Sequence, residues 1–161
     1  MFIVHCLLLV EHMPTYAKNK FAYHDYDVLD TLEAGLVLTG PETKAVRTET
    51  VRLKSSYISL RGNEAWLVNA HIPRYKYAGT VLDYDPERPR KVLLNKKEIA
   101  TLQGKSHEKG LTIVPLSVYS KGRHIKLQIG LARGKKLHDK KRAKKERDID
   151  RDIMRDLKGR M

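Results

Sequence analysis

Between residues 26 and 38 the chain reads YDVLDTLEAGLVL, and apolar side chains return there at nearly every second position. Val28, Leu32, Ala34, Leu36 and Leu38 fall on one face, with Asp27, Thr31 and Glu33 on the other. A period of two belongs to a half-buried β-strand, and this run predicts a long one. Gly35 stands inside it. A glycine weakens a flat strand but permits a sharp bend or bulge, so the run is suited to curling around a small barrel. Gly40-Pro41 ends the strand and opens a short helix, PETKAVRTE, with Pro41 in the first turn, where its missing N–H does no harm.

The later segments keep to short strands. YISLRGNEAWLVNAHI reads as a hairpin of residues 57–60 and 65–72 joined by Arg61-Gly62-Asn63-Glu64, and Pro73 stops it. RYKYAGTVLDYDPERPR is loop-like and leads into the short apolar strand KVLLN. In KKEIATLQGKSHEKG, Ile99 and Leu102 are spaced for a helix that ends near Gly104. LTIVPLSVYSKG and HIKLQIGLA then make a final hairpin about Gly122. Six strands, two short helices and no βαβ alternation predict a mainly β fold, a small closed antiparallel barrel of the oligonucleotide-binding (OB) type. No internal repeat is visible.

The chain has 161 residues, enough for one such domain with appendages. Its net charge of +13 creates a field that draws polyanions, of which nucleic acid is the commonest large one. The charge is uneven: residues 133–161 hold 13 Lys/Arg against 6 Asp/Glu, with almost nothing to bury. Cys6 is the single cysteine, so no intramolecular disulfide and no multi-cysteine zinc site can form, and a reducing cytoplasm fits. FIVHCLLLV at residues 2–10 is too short to span a bilayer and lacks the flanks of a cleaved leader. Because Met13 begins a more ordinary polar start, residues 1–12 read as an extension from a mis-assigned start within an N-terminal extension of residues 1–18.

Enzyme signatures fail on spacing. GLARGKK places three residues between its glycines where a phosphate loop needs four, and Ile99 stands where the first glycine before Gly104-Lys105-Ser106 would be. The histidines at 5, 12, 24, 71, 107, 124 and 138 form no i, i+4 pair, and no Gly-x-Ser-x-Gly elbow occurs. No catalytic residue, metal or cofactor is expected. Basic residues interleaved with aromatics are the stronger feature. Eight Tyr and one Trp offer stacking faces, while Lys18, Lys20, Lys44, Arg47, Arg52, Lys54, Arg90, Lys91, Lys96, Lys97, Lys121, Arg123 and Lys126 offer phosphate contacts. Tyr57, Trp66 and Tyr119 lie in strands, where a structural role is the simpler expectation.

From Ile149 the tail carries a narrow apolar stripe of Ile149, Ile153, Met154 and Leu157 on an otherwise charged segment. A helix so short, without a core to pack on, is marginal in water. Such a basic tail is expected to be disordered when free and to order on a partner.

Taken in order, NKFAYHDY, DTLEAGLVLTGPETKAVR, WLVNAHI, DPERPRKVLLNKKEI, EKGLTIVPL and GLARGKKLHDKK resemble the SsrA-binding protein (small protein B) family of bacterial trans-translation, from about Asn19 to the C-terminus. Thr43 in PETKAVR and Lys141 in HDKKR are mild departures from that family's common residues. The resemblance implies an OB-type RNA-binding barrel over residues 19–133 that grips the tRNA-like part of transfer-messenger RNA (tmRNA). It also implies a tail, residues 134–161, that becomes helical in the empty message channel of a stalled ribosome. Glu33, Leu93, Asn95 and Lys126 align with RNA-contacting positions, Asn19 and Lys20 with the same surface, and Lys44, Arg47, Arg90 and Lys91 join the basic set. Gly134, Lys135, Lys136, His138, Asp139, Lys140 and Lys141 align with the junction that enters the decoding centre, and Ile153 and Met154 with the late tail. The implied partners are tmRNA and the ribosome's small-subunit RNA, with elongation factor Tu reached only through aminoacylated tmRNA, in the cytoplasm and away from membranes. A structural ribosomal protein with the same kind of barrel is the alternative reading.

Overall fold

Seven strands form one antiparallel sheet in this computed structural model, which describes residues 14–79, 83–106 and 110–135. They are β1 (Thr15–Lys18), β2 (Tyr26–Leu36), β3 (Tyr57–Arg61), β4 (Glu64–Val68), β5 (Arg90–Leu93), β6 (Leu111–Lys121) and β7 (His124–Gly134). Their order across the sheet is β1-β6-β7-β2-β5-β4-β3. Helix α1 (Lys20–Asp25) precedes β2, α2 (Gly40–Thr48) follows it, and α3 (Lys96–Ser106) joins β5 to β6.

The mainly β class stands, but the closed barrel does not. The sheet's end strands, β1 and β3, are not paired with each other, so the sheet is curled and open. β3 does come round against β6. β1 pairs with the outer edge of β6 at Thr15↔Tyr119, Ala17↔Val118 and Lys18↔Ser117. Thr15–Lys18 therefore belongs to the sheet, although the sequence reading leaves it in the N-terminal extension.

Two bulges redirect side chains between the faces. In β2 the partners step from Val28↔Ala132 to Asp30↔Leu131, which leaves one extra residue, Leu29, in the strand. A one-residue insertion flips every later side chain to the other face. Val28 consequently packs with Ala22, Val114, Leu116 and Ala132 in a small cluster, while Leu32 and Ala34 face the main core. The sequence alternation had placed all of these on one face, and the bulge corrects it. β6 is interrupted likewise between Pro115 and Ser117, so Leu116 joins the small cluster and Val118 the main one. Gly130 of β7 lies between the bulges, where an added Cβ would stand 3.0 Å from Leu116 Cδ1 and 3.1 Å from Val28 Cγ1.

α2 begins as its sequence predicts. Thr39 caps it, accepting from the backbone N–H of Glu42 while the Glu42 carboxylate accepts from the backbone N–H of Thr39, and Pro41 occupies the first turn. Ala45 and Val46 turn into the main core. Glu42 is only 1% exposed, and its charge is met by Arg88 Nε and Nη2 at 2.9 and 2.5 Å and by Arg90 Nε at 2.9 Å. Arg90 is fully buried and also donates to the carbonyls of Ala70 and Pro86 at 2.8 and 2.9 Å. This ionic knot fixes the entry to β5, and so the strand that carries Leu93.

Candidate nucleic-acid interface

The outer side of the curled sheet is set by register. Tyr119 of β6 lies opposite Lys126 of β7, Lys126 opposite Gly35 of β2, and Gly35 opposite Leu93 of β5. These residues make one row across four neighbouring strands, and the adjoining row is Ser117, Gln128 and Glu33. Gly35 is small because Leu93 Cβ would be 3.1 Å from any Cβ placed there. The close approach leaves the Leu93 side chain standing out of the sheet, 53% exposed. A large apolar side chain beside lysines is suited to packing on a sugar or base edge.

Glu33 is the hub of the face. Tyr119 donates its hydroxyl to Glu33 Oε2 at 2.5 Å, Lys121 Nζ lies 3.3 Å from the same oxygen, and Lys126 Nζ lies 3.6 Å from Oε1. The Tyr119 hydrogen bond holds the Glu33 carboxyl below its ordinary value, partial burial opposes this, and the two lysines add to the lowering. The Tyr119 phenol is pushed up to about 12, by burial first and then by the hydrogen bond and charge of Glu33. Glu33 is therefore ionised and Tyr119 protonated throughout the physiological range, and the carboxylate orients the two lysines.

The other expected contacts are distributed unequally. Lys20, Lys44, Arg47 and Asn95 are exposed, and Lys91 is half-buried. Lys91 is ion-paired with Glu64 at 2.5 Å, and Lys44 lies over the Tyr75 ring at 5.7 Å from its centroid. Arg47 Nη2 donates to the carbonyl of Arg123 at the tip of the β6–β7 hairpin. Asn19 is 5% exposed and acts inside the fold: it caps α1, and its Nδ2 donates to the carbonyls of Leu53 and Pro115 at 3.0 and 2.9 Å. Arg90 likewise offers no surface. Both polar groups already have internal partners, which gives each a structural part in the fold.

Lys20 belongs to a second basic area, where Lys54 Nζ stands 4.9 Å from the centroid of the exposed Phe21 ring. At the start of the tail, Gly134 pairs with Tyr26, and Lys135 donates through its backbone N–H to Asp25 O at 2.9 Å. Lys135 Nζ donates to Tyr23 O at 3.2 Å. Lys136, His138, Asp139, Lys140, Lys141, Ile153 and Met154 lie outside the described residues. Among the described residues no group of three or more His, Cys, Asp or Glu is placed to hold a metal ion, and no helix is long and apolar enough to cross a membrane. The sequence pattern did not disclose the part of Tyr119, because a tyrosine in a strand reads as packing and its partner Glu33 is 86 residues away.

The family model described as SmpB protein matches residues 16–159 of this chain. The chain belongs to the SmpB family. An SsrA-binding protein of Chloroflexus aggregans is 46% identical over 150 residues, which cover 93% of this chain and 95% of that one. An SsrA-binding protein of Prochlorococcus marinus subsp. pastoris is 49% identical over 142 residues, 88% of this chain and 81% of its own. A chain of the solved structure described as "tmRNA-SmpB: a journey to the center of the bacterial ribosome" matches with a TM-score of 0.64 and 42% identity, over 77% of this chain and 86% of that one. The SmpB match begins at Tyr16, inside β1, in keeping with that strand's place in the sheet.

Proposed function

We propose that this protein binds tmRNA, the SsrA RNA, through the outer face of its curled OB-type sheet and delivers it to stalled ribosomes for trans-translation. The relatives' binding partner and the ribosomal assembly of the solved structure support this reading. It acts in the cytoplasm as an RNA-binding protein without catalysis of its own, and meets elongation factor Tu only through the aminoacylated RNA. Residues 134–161 enter the vacant message channel, with His138 at the decoding centre.

The observation that carries the site assignment is the row Tyr119, Lys126, Gly35 and Leu93 beside Glu33, which joins a cation, an apolar contact and an oriented carboxylate on one exposed surface. Asn95 extends that surface just past the end of β5. Binding of the purified protein to a transcript of the tRNA-like domain tests it. Lys126→Ala and Leu93→Asp should each weaken binding by about tenfold or more while leaving the thermal midpoint in place, since neither side chain supports the core. Undiminished affinity in both variants would move the RNA to another face.

A further inference from the structure

We infer that Tyr119 is a positioning residue of the RNA-binding face, holding the Glu33 carboxylate so that Lys121 and Lys126 can leave it for RNA phosphates. The inference rests on the proposed binding of tmRNA. Neither Tyr119 nor Lys121 is among the positions that the family resemblance assigns to RNA contact.

The geometry separates two kinds of bond to one carboxylate. Among the described residues the Tyr119 hydroxyl is the closest donor to Glu33, at 2.5 Å, whereas the ammonium groups of Lys121 and Lys126 stand off at 3.3 and 3.6 Å. Tyr119 is a half-buried side chain fixed in β6, while the Lys121 side chain is 51% exposed at the end of the same strand. Exposed ion pairs at such separations are weak and exchange readily with other anions. A neutral phenol cannot bind a phosphate as a cation does, so an arriving RNA has reason to take the lysines and leave Tyr119 in place. Glu33 then stores the lysines near the surface before binding. It is not left bare when they depart, because the Tyr119 hydroxyl still meets its charge.

Without that hydroxyl the carboxylate would depend on the lysines alone, and releasing them would leave a partly covered anion facing the RNA. Loss of the hydroxyl therefore acts through Glu33, which distinguishes it from the loss of a stacking ring. The experiment compares wild type with Tyr119→Phe, Glu33→Gln, the double variant and Lys121→Ala, binding a tRNA-like-domain transcript across a salt series. Tyr119→Phe keeps the ring, so its folding is checked by thermal midpoint only as a control.

Tyr119→Phe should weaken binding about threefold to tenfold, the effect of one hydrogen bond to a charged group, and should flatten the dependence of log affinity on log salt. In the Glu33→Gln background the same change should have no further effect, because no carboxylate remains to hold the lysines. Lys121→Ala should reduce the salt slope by about one phosphate contact. Equal losses from Tyr119→Phe with and without Glu33→Gln, or an unchanged salt slope in Lys121→Ala, would overturn the inference while leaving the RNA-binding reading intact. Failure of the wild-type protein to bind the transcript would instead remove the reading on which it rests.

Discussion

At the scale of single residues, two glutamates show how context divides one chemistry. Glu33 is exposed and answered by a phenol and two lysines, whereas Glu42, in the first turn of α2, is buried and met by two arginines. Burial alone would raise the Glu42 carboxyl, but the Arg88 hydrogen bonds, the Thr39 backbone N–H and Arg90 outweigh it and lower the group from 4.5 to about 2. A carboxylate with a depressed folded value contributes stability above its unfolded value and loses it as pH falls through the folded one. Glu42 should therefore supply about 3 kcal/mol that is present above pH 4.5 and disappears toward pH 2. Urea unfolding between pH 6 and 2 checks this. Glu42→Gln should be less stable by about 3–5 kcal/mol near neutrality, because it strips the buried Arg90 of its counter-charge, and its stability should fall less steeply with acid. An equally steep fall in the variant would assign the pH dependence to other carboxylates. In the sequence, Glu42 and Arg90 look like ordinary surface charges of PETK and RPRK. Nothing local to either residue says that a partner 48 positions away will cover it.

At the scale of elements, the legible parts are those whose cause is local. The α2 start could be read because Gly40-Pro41 acts within a few residues, and the β6–β7 hairpin could be read from its turn at Gly122, where φ is 60°. β1 and α1 could not, since TYAK and KFAYHD are too short to show a period, and TYAK becomes a strand by joining the edge of β6. The second strand of the first hairpin was expected to reach Ile72 but ends at Val68, and the next residue, Asn69, takes φ 59° and turns the chain out of the sheet. The bulges at Leu29 and Leu116 are invisible for another reason. A period of two continues in the letters while the pairing slips by one, so only the partner strand shows the change of face. Their packing predicts the effect of Gly130→Ala. The new methyl would press on Leu116, which is 1% exposed and has little room to yield, so the variant should lose about 1–2 kcal/mol in chemical denaturation despite the better strand propensity of alanine. Leu116→Ala in the same chain would reopen the space, so the double variant should lose less than the sum of the two single losses. Strict additivity would mean that the contact is not what confines position 130 to glycine.

At the scale of the whole molecule, the proposed work divides at about residue 135. The row around Glu33 lies wholly within the described sheet, while residues 133–161 carry 13 of the chain's 32 Lys/Arg with few apolar side chains. A polycationic tail alone would strengthen binding to any RNA and would depend only on charge. The spacing of Ile149, Ile153 and Leu157 asks for something more specific, since a stripe at every fourth position has value only where the segment is helical against a surface. Removing residues 136–161 should then spare most binding to free tmRNA, apart from a nonspecific salt-sensitive part, yet abolish peptide tagging on stalled ribosomes. Ile153→Pro separates helix from charge, because it leaves net charge unchanged while removing a helical N–H and clashing with the preceding turn. Free-RNA affinity should stay within about twofold of wild type, and tagging in a reconstituted stalled-ribosome assay should fall by more than about tenfold. If Ile153→Pro tagged as well as the unaltered chain, the tail would be working as a charged strand, and the apolar stripe would carry no mechanistic weight.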